Sequence, residues 1–462
     1  MKGISAWNYA PYKPWFYEVG DIYICRVAPD VDSIAFEWLP LDSVAEYSVY
    51  YRKRGDSEFI CAGNTRDTEH VIKGLTTGTD YEFFVESQGL KSRVRLARAG
   101  EIVGTVVNYL HPDDKAYSFS GNALCSPSMV RCPDGSLLAS MDVYGSNMPQ
   151  NLSILFRSLD DGKTWRYVTE LYPCYWGTLF VHKNEVYMLS ASTEYGDVLI
   201  GRSTDNGKTF CTPTVLFRGS CKCNHEGNHK YPMNIVKYGG RLYHPIEWGS
   251  WSKKPLLHSA AMLSCDENAD LLDSQSWNMS EPLPYNHDWP GTSVGDCGFT
   301  IEGTPVVLPD GKLYSIMRYC IECSDYPTFG RAITYRINTD NPDAPPEFHK
   351  VIDFPGNHSK FMIRYDEQSK KYYSLVSRIL DHESRMNRNL LSLISSPDGE
   401  HWSLVKDIID FRNEKDVAFQ YVWFDIEEND IIFLSRTAFN GARNAHDANY
   451  STFHRIENFR AL

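Results

Sequence analysis

Apolar and polar residues alternate in short runs along this chain, with turn residues between them, the pattern of strands half-buried in sheets. Over residues 1–100 the runs Ile34-Ala35-Phe36-Glu37-Trp38, Tyr47-Ser48-Val49-Tyr50-Tyr51 and Tyr81-Glu82-Phe83-Phe84-Val85 predict a small β-sandwich. From about residue 125 a strand, a tight polar turn and a second strand recur at roughly 50 to 70 residues, the range of propeller blades. Six such hairpins line up, their first strands at 127–130, 178–181, 232–236, 305–308, 361–363 and 422–424. Pro-Asp-Gly turns close two of them, at 133–135 and 309–311. The pattern predicts an all-β chain: a β-propeller over residues 101–462, with six repeats counted, preceded by the sandwich. Seven blades are possible if residues 101–124 build one with the C-terminus.

Ser158-Leu159-Asp160-Asp161-Gly162-Lys163-Thr164-Trp165 and Ser203-Thr204-Asp205-Asn206-Gly207-Lys208-Thr209-Phe210 share the pattern S-x-D-x-G-x-T-(W/F), and Ser396-Pro397-Asp398-Gly399-Glu400-His401-Trp402 is a shortened relative. In such a turn Ser and Asp hydrogen-bond the backbone, Gly supplies the unusual φ and the aromatic packs between strands. These segments resemble the Asp-boxes of the sialidase superfamily. Trp165 and Trp402 are therefore expected to be buried and structural. In the first hundred residues, Leu75-Thr76-Thr77-Gly78-Thr79-Asp80-Tyr81 after the Trp38 strand resembles the fibronectin type III pattern, with a corner tyrosine pinning a loop.

The net charge of -13 gives no basic footprint for a nucleic-acid backbone or an anionic membrane surface, so an anionic ligand must be met by a local cluster. No run approaches the roughly 20 apolar residues of a membrane span. The 29 Tyr and 11 Trp suit both strand packing and sugar stacking. Twelve cysteines, with Cys125, Cys132, Cys211 and Cys265 in or beside apolar runs, read as small hydrophobes and lean toward a reduced, cytoplasmic protein. A secreted or periplasmic protein whose leader was removed stays open.

Asp-box turns leave the opposite face, made by strand-one starts, strand-two ends and the following loops, for chemistry. That sorting selects His229, Glu302, His358, Lys360 and Gln420 near strand-one starts, and Asp142, Glu247, Trp248, Arg318 and Arg436 near strand-two ends. The loops add Tyr195, Trp251, Arg388 and His446. His229, Tyr231 and Glu302 are the candidate catalytic residues. Asp142, Tyr195, Trp248, Arg318, His358, Lys360, Gln420, Arg436 and His446 are candidates to bind substrate.

Across residues 120–460 the segments Leu138-Ala139-Ser140-Met141-Asp142, Gly239-Gly240-Arg241-Leu242-Tyr243, Phe354-Pro355-Gly356, Phe419-Gln420-Tyr421 and His446-Asp447-Ala448-Asn449-Tyr450 resemble the propeller lyases acting on ulvan and on rhamnosyl-glucuronate ends. The resemblance implies β-elimination beside a uronic acid, with Arg neutralising the carboxylate and His or Tyr moving protons. It departs from the pattern at Met141, where a histidine is expected. That departure brings in a sialidase-like hydrolase using Glu302, Glu247 or Asp142, or a noncatalytic glycan-binding propeller. The expected partner is an oligosaccharide or polysaccharide, uronate-containing in the first reading. No cofactor is required; Cys221, Cys223 and His225 are the candidate ligands for a structural zinc.

Overall fold

The computed structural model describes residues 20–42, 46–220, 226–251, 258–292, 298–320, 330–356, 358–381 and 387–462. Among these residues the chain is built from β-strands, with short 3-10 turns at 274–276 and 459–461. Six antiparallel sheets of the propeller follow one another in sequence. Blade 1 comprises Ala123–Arg131, Leu137–Tyr144, Ser153–Ser158 and Arg166–Leu171; blade 2 begins at Tyr175–His182 and blade 3 at Gly227–His229. Blade 4 begins at Phe299–Val307, blade 5 at Ile363–Asp366 and blade 6 at Ala418–Glu427. Five of the six predicted hairpins coincide with the inner strand pair of a blade, whereas on blade 3 the expected strand at 232–236 is a break between Gly227–His229 and Val236–Tyr238, which both pair with Arg241–Gly249.

Blade 6 has its outer strand from elsewhere in the sequence: Tyr450–Ile456 pairs with Thr105–Tyr109, which precedes blade 1. The segment expected to make a seventh blade thus closes the sixth. This joins the two ends of the propeller through backbone hydrogen bonds.

The turns between third and outer strands repeat in detail. Ser158 Oγ donates to Asp160 and accepts from Gly162 N–H, both at 2.8 Å, while Asp160 accepts from Thr164 N–H at 2.9 Å. Ser203, Asp205, Gly207 and Thr209 make the same bonds. Hydrogen bonds from Thr164 hold the Asp160 carboxyl down at about 2, so the turn stays assembled through ordinary pH. Trp165 is 1% exposed and packs on Phe453. Trp402, expected to be equally enclosed, is only half-buried, its ring edge-on to Phe354, because its turn is one residue shorter.

The N-terminal sandwich pairs Ile24–Pro29, Ser33–Trp38 and Glu69–Lys73 in one sheet, and Ile60–Thr65, Tyr47–Lys53, Asp80–Ser87, Leu90–Lys91 and Arg95–Arg98 in the other. Its Tyr81 hydroxyl accepts from Thr76 N–H at 2.9 Å above buried Leu75. The sandwich sits on the closing strand: Arg26 donates to the carbonyls of Val107 and Val106 at 2.9 and 3.0 Å, and Tyr23 donates to the buried Glu170 carboxylate of blade 1. Cys125, Cys132 and Cys265 are buried as expected of small hydrophobes, whereas Cys211 is exposed at the edge of an outer turn.

Candidate active site

One backbone device repeated around the ring builds the site. The inner strands of blades 1, 2, 4 and 6 each slip register, between Cys125 and Ser128, Tyr175 and Thr178, Ile301 and Thr304, and Gln420 and Trp423. The first inserted residue is left-handed in every case: Ser126 (φ 47°), Trp176 (φ 53°), Glu302 (φ 57°) and Tyr421 (φ 53°). A non-glycine residue there is strained, and such strain clusters at functional sites. Gly303 follows Glu302 where an added Cβ would lie 2.3 Å from Met317 Sδ, so the bulge needs glycine at its second place.

The second-strand residue at this level is equivalent from blade to blade, being Ala191 opposite Tyr175 on blade 2 and a charged residue on blades 1, 3, 4 and 6. Asp142 pairs with Cys125, Glu247 with His229, Arg318 with Ile301 and Arg436 with Gln420. Carboxylates therefore occupy this place on blades 1 and 3, and arginines on blades 4 and 6.

The arginines converge on Tyr421. Arg318 Nη1 donates to the Tyr421 hydroxyl at 3.1 Å and to Glu302 Oε2 at 2.6 Å. The guanidinium carbons of Arg436 and Arg388 lie 5.0 and 5.4 Å from the Tyr421 ring centre. Arg388 donates to Gln420 Oε1 and, at 3.1 Å, to the carbonyl of His358. Arg436 donates to the carbonyl of His446 at 2.5 Å and covers Tyr144. The nearby Arg436 charge, together with burial, pushes His446 down to about 4, so its imidazole is neutral at pH 7. Burial lowers Lys360 to about 8 against the pull of Glu302, and its Nζ donates to the Pro232 carbonyl at 3.0 Å. Arg318 outweighs burial at Glu302 and holds its carboxyl below the usual range. Among the described residues, three guanidiniums thus surround the half-buried Tyr421, with Glu302 bound to Arg318 and the Lys360 charge drawn to Glu302.

A second group lies behind Glu302. His229 Nδ1 is 2.8 Å from Glu247 Oε2, and its ring is packed by Trp176, Tyr195, Tyr231, Trp251 and His258. Burial raises the Glu247 carboxyl, with the His229 contact opposing. Tyr195 Oη lies 3.1 Å from His258 Nε2 and accepts from Trp251 N–H at 3.0 Å. His229, Glu247 and His258 each offer one ligand atom within 4.8 Å of the others. Burial, reinforced by the Arg318 charge, lowers the His258 pKa, and two imidazoles with a carboxylate form a set that fits a zinc ion. Cys221, Cys223 and His225 lie outside the described residues.

Several sequence-selected residues have other work. Asp142, expected on substrate, is 1% exposed, and its oxygens accept from Ser153 Oγ and, at 2.8 Å, from Trp176 N–H. Tyr231, selected as catalytic, is buried with its hydroxyl on the Gly303 carbonyl at 3.2 Å, and burial raises its pKa well above 10. His229, the preferred proton carrier, is 1% exposed beneath Trp251. Trp248 alternates away from Glu247 along the strand, and Trp251, 47% exposed, is the tryptophan beside His258. The sequence reading passed over Tyr421 and kept its neighbour Gln420. Glycine in mid-strand marks two of the bulges, Trp176-Gly177 and Glu302-Gly303, but Val422 follows Tyr421, so this signal does not reach it.

Burial pushes Asp142 up to about 7 from 3.8. The folded state then holds this proton more tightly than the unfolded chain, so the group's contribution to stability is full below 3.8 and lost as pH rises through about 7. Asp142→Asn, with no proton to lose, is expected to flatten the fall of Tm across that window, as read by calorimetry at stepped pH.

No family model and no curated protein matches the chain. Solved structures do. A Penicillium chrysogenum α-L-arabinanase complexed with arabinobiose aligns at TM-score 0.51 and 12% identity over 78% of this chain and 99% of its own. The α-L-arabinofuranosidase Arb93A of Fusarium graminearum with an iminosugar inhibitor aligns at 0.50 and 12%, over 78% and 98%. A leech intramolecular trans-sialidase with 2,7-anhydro-Neu5Ac aligns at 0.50 and 10%, over 95% and 91%. This protein has the sialidase-like β-propeller fold.

Proposed function

We propose that this protein is a carbohydrate-active enzyme that cleaves a glycosidic bond beside a uronic acid. The observation that carries the reading is the convergence of Arg318, Arg388 and Arg436 on Tyr421. Guanidiniums pair with carboxylates through directed, charge-assisted hydrogen bonds. Buried together, they attract an anionic sugar more than the remote net charge repels it, since screening limits that repulsion to about 8 Å. The sugars bound to the arabinanase and trans-sialidase of the same fold support a glycan substrate.

With the carboxylate neutralised, the C5–H of a uronate becomes acidic. With its own phenol proton first released to solvent, the Tyr421 oxygen takes the C5 proton, the electron pair forms the C4–C5 double bond, the C4–O bond breaks, and Tyr421 gives the proton to the departing oxygen, which regenerates the phenolate. Glu302 holds Arg318 in place throughout. Paired-carboxylate hydrolysis needs a protonated acid at the leaving oxygen. Glu302 is held ionised by Arg318, and Glu247 is sealed behind His229. Hydrolysis, the second reading, is favoured by Glu302 lying one guanidinium away from Tyr421. A zinc ion at His229, Glu247 and His258 would be structural, bracing blade 3. The N-terminal sandwich, with its Tyr81 corner, is a fibronectin type III-like spacer.

Binding tests the reading without chemistry. A glucuronate-ended oligosaccharide is expected to bind, and its carboxyl-reduced counterpart to bind much more weakly by titration calorimetry. Arg388→Ala should weaken the uronate about 30-fold or more, by about 2 kcal/mol, and leave the reduced sugar unaffected. Equal affinity for the two sugars would remove the arginines from substrate binding.

A further inference from the structure

We propose that Glu247 is a positioning residue, holding Glu302 in its left-handed conformation and thereby setting Arg318 against Tyr421; this rests on the reading of Tyr421 as the proton carrier.

Glu247 spans two blades. Its Oε1 accepts the backbone N–H of Glu302, the bulge residue at φ 57°, and its Oε2 faces His229 Nδ1 at 2.8 Å. Glu302 then accepts from Arg318, which donates to Tyr421. The relay runs from blade 3 through blade 4 to blade 6 without a break. Its first link is the costly one, because a glutamate relaxes to negative φ by turning its amide away, and a buried carboxylate accepting that amide opposes the turn.

The molecule contains an internal parallel. Asp142, at the same register place on blade 1, accepts the N–H of Trp176, the left-handed bulge residue of blade 2, at 2.8 Å. Two carboxylates at equivalent places thus fix two equivalent bulges of the following blade. One fixed residue, Trp176, has its ring 4.5 Å from His229; the other, Glu302, holds the arginine of the reaction centre. Glu247 itself is 1% exposed, its carboxyl turned to Glu302 and His229.

Glu247→Ala and Glu247→Gln separate positioning from general support. Glutamine keeps an oxygen for the Glu302 N–H, whereas alanine keeps none. On a uronate-ended substrate, Glu247→Ala is expected to lower kcat about 100-fold, the cost of a small misplacement. KM should stay within about threefold, because Arg388 and Arg436 still hold the carboxylate. Glu247→Gln should recover kcat to within about fivefold of the parent. Crystal structures supply an arm independent of turnover: in Glu247→Ala, Glu302 leaves positive φ and Arg318 moves out of hydrogen-bond reach of Tyr421, and in Glu247→Gln both stay. If Glu247→Ala does not fold, Glu247→Asp, one methylene shorter, takes its place. An unchanged Glu302 φ, or equal losses in the alanine and glutamine variants, overturns the proposal. Absence of uronate cleavage by the parent protein would instead sink the functional reading, and the crystallographic arm would still decide the role of Glu247.

Discussion

Tyr421→Phe is expected to cut turnover on a uronate-ended oligosaccharide about 10²- to 10⁴-fold, the usual worth of a positioned proton carrier. The change deletes one oxygen, which accepts a single hydrogen bond from Arg318, and it leaves the ring under Arg388 and Arg436. Substrate affinity should therefore change by no more than a few fold, and Tm by a degree or two. Steady-state kinetics beside titration calorimetry reads both quantities. Full activity in this variant would move the proton transfer to another group, and lost affinity with retained kcat would make Tyr421 a binding residue.

The second large effect is structural. Trp165→Ala is expected to destabilise the fold by about 3 to 5 kcal/mol, the range for removing a large aromatic from a packed interior. The indole is 1% exposed, lies against Phe453 of blade 6, and donates from Nε1 to the Gly162 carbonyl at 3.1 Å. It therefore ties the outer turn of blade 1 to the strand that receives Thr105–Tyr109. Denaturant unfolding should show the loss, while kcat and KM measured well below Tm stay unchanged. An unaltered unfolding midpoint would refute the structural role of the Ser-x-Asp-x-Gly-x-Thr turn.

The fold was legible where its determinants are local. Each inner hairpin carries its own alternation and turn residues, as at Pro133-Asp134-Gly135, so all six blades could be located from sequence, although the pattern sets the first strand of blade 3 at 232–236, where the chain breaks between two short strands. The strand Thr105–Tyr109 is short and ordinary in pattern, and its partner lies more than three hundred residues away, so nothing local assigns it to blade 6. Arg318, Arg436 and Glu302 could be singled out from the sequence because they end or begin inner strands at repeated places.

The place of Tyr421 among the arginines was not legible in the sequence, for a physical reason. Strand alternation points Gln420 toward the site, but the bulge after Gln420 interrupts the alternation and turns the next side chain inward. His229 and Tyr231 were chosen for the chemistry of their side chains, and burial beneath Trp251 and behind Gly303 is not written in that chemistry. Asp142 has the right register place, yet the blade it faces offers it a backbone amide instead of a sugar.

The most direct test of the account follows the products formed from an oligosaccharide ending in a glucuronate residue. β-Elimination predicts a near-ultraviolet absorbance from the new C4–C5 double bond, rising in step with new reducing ends and absent in Tyr421→Phe. Reducing ends without that absorbance would mean hydrolysis and contradict elimination, and no products at all would contradict an enzyme acting beside uronic acid.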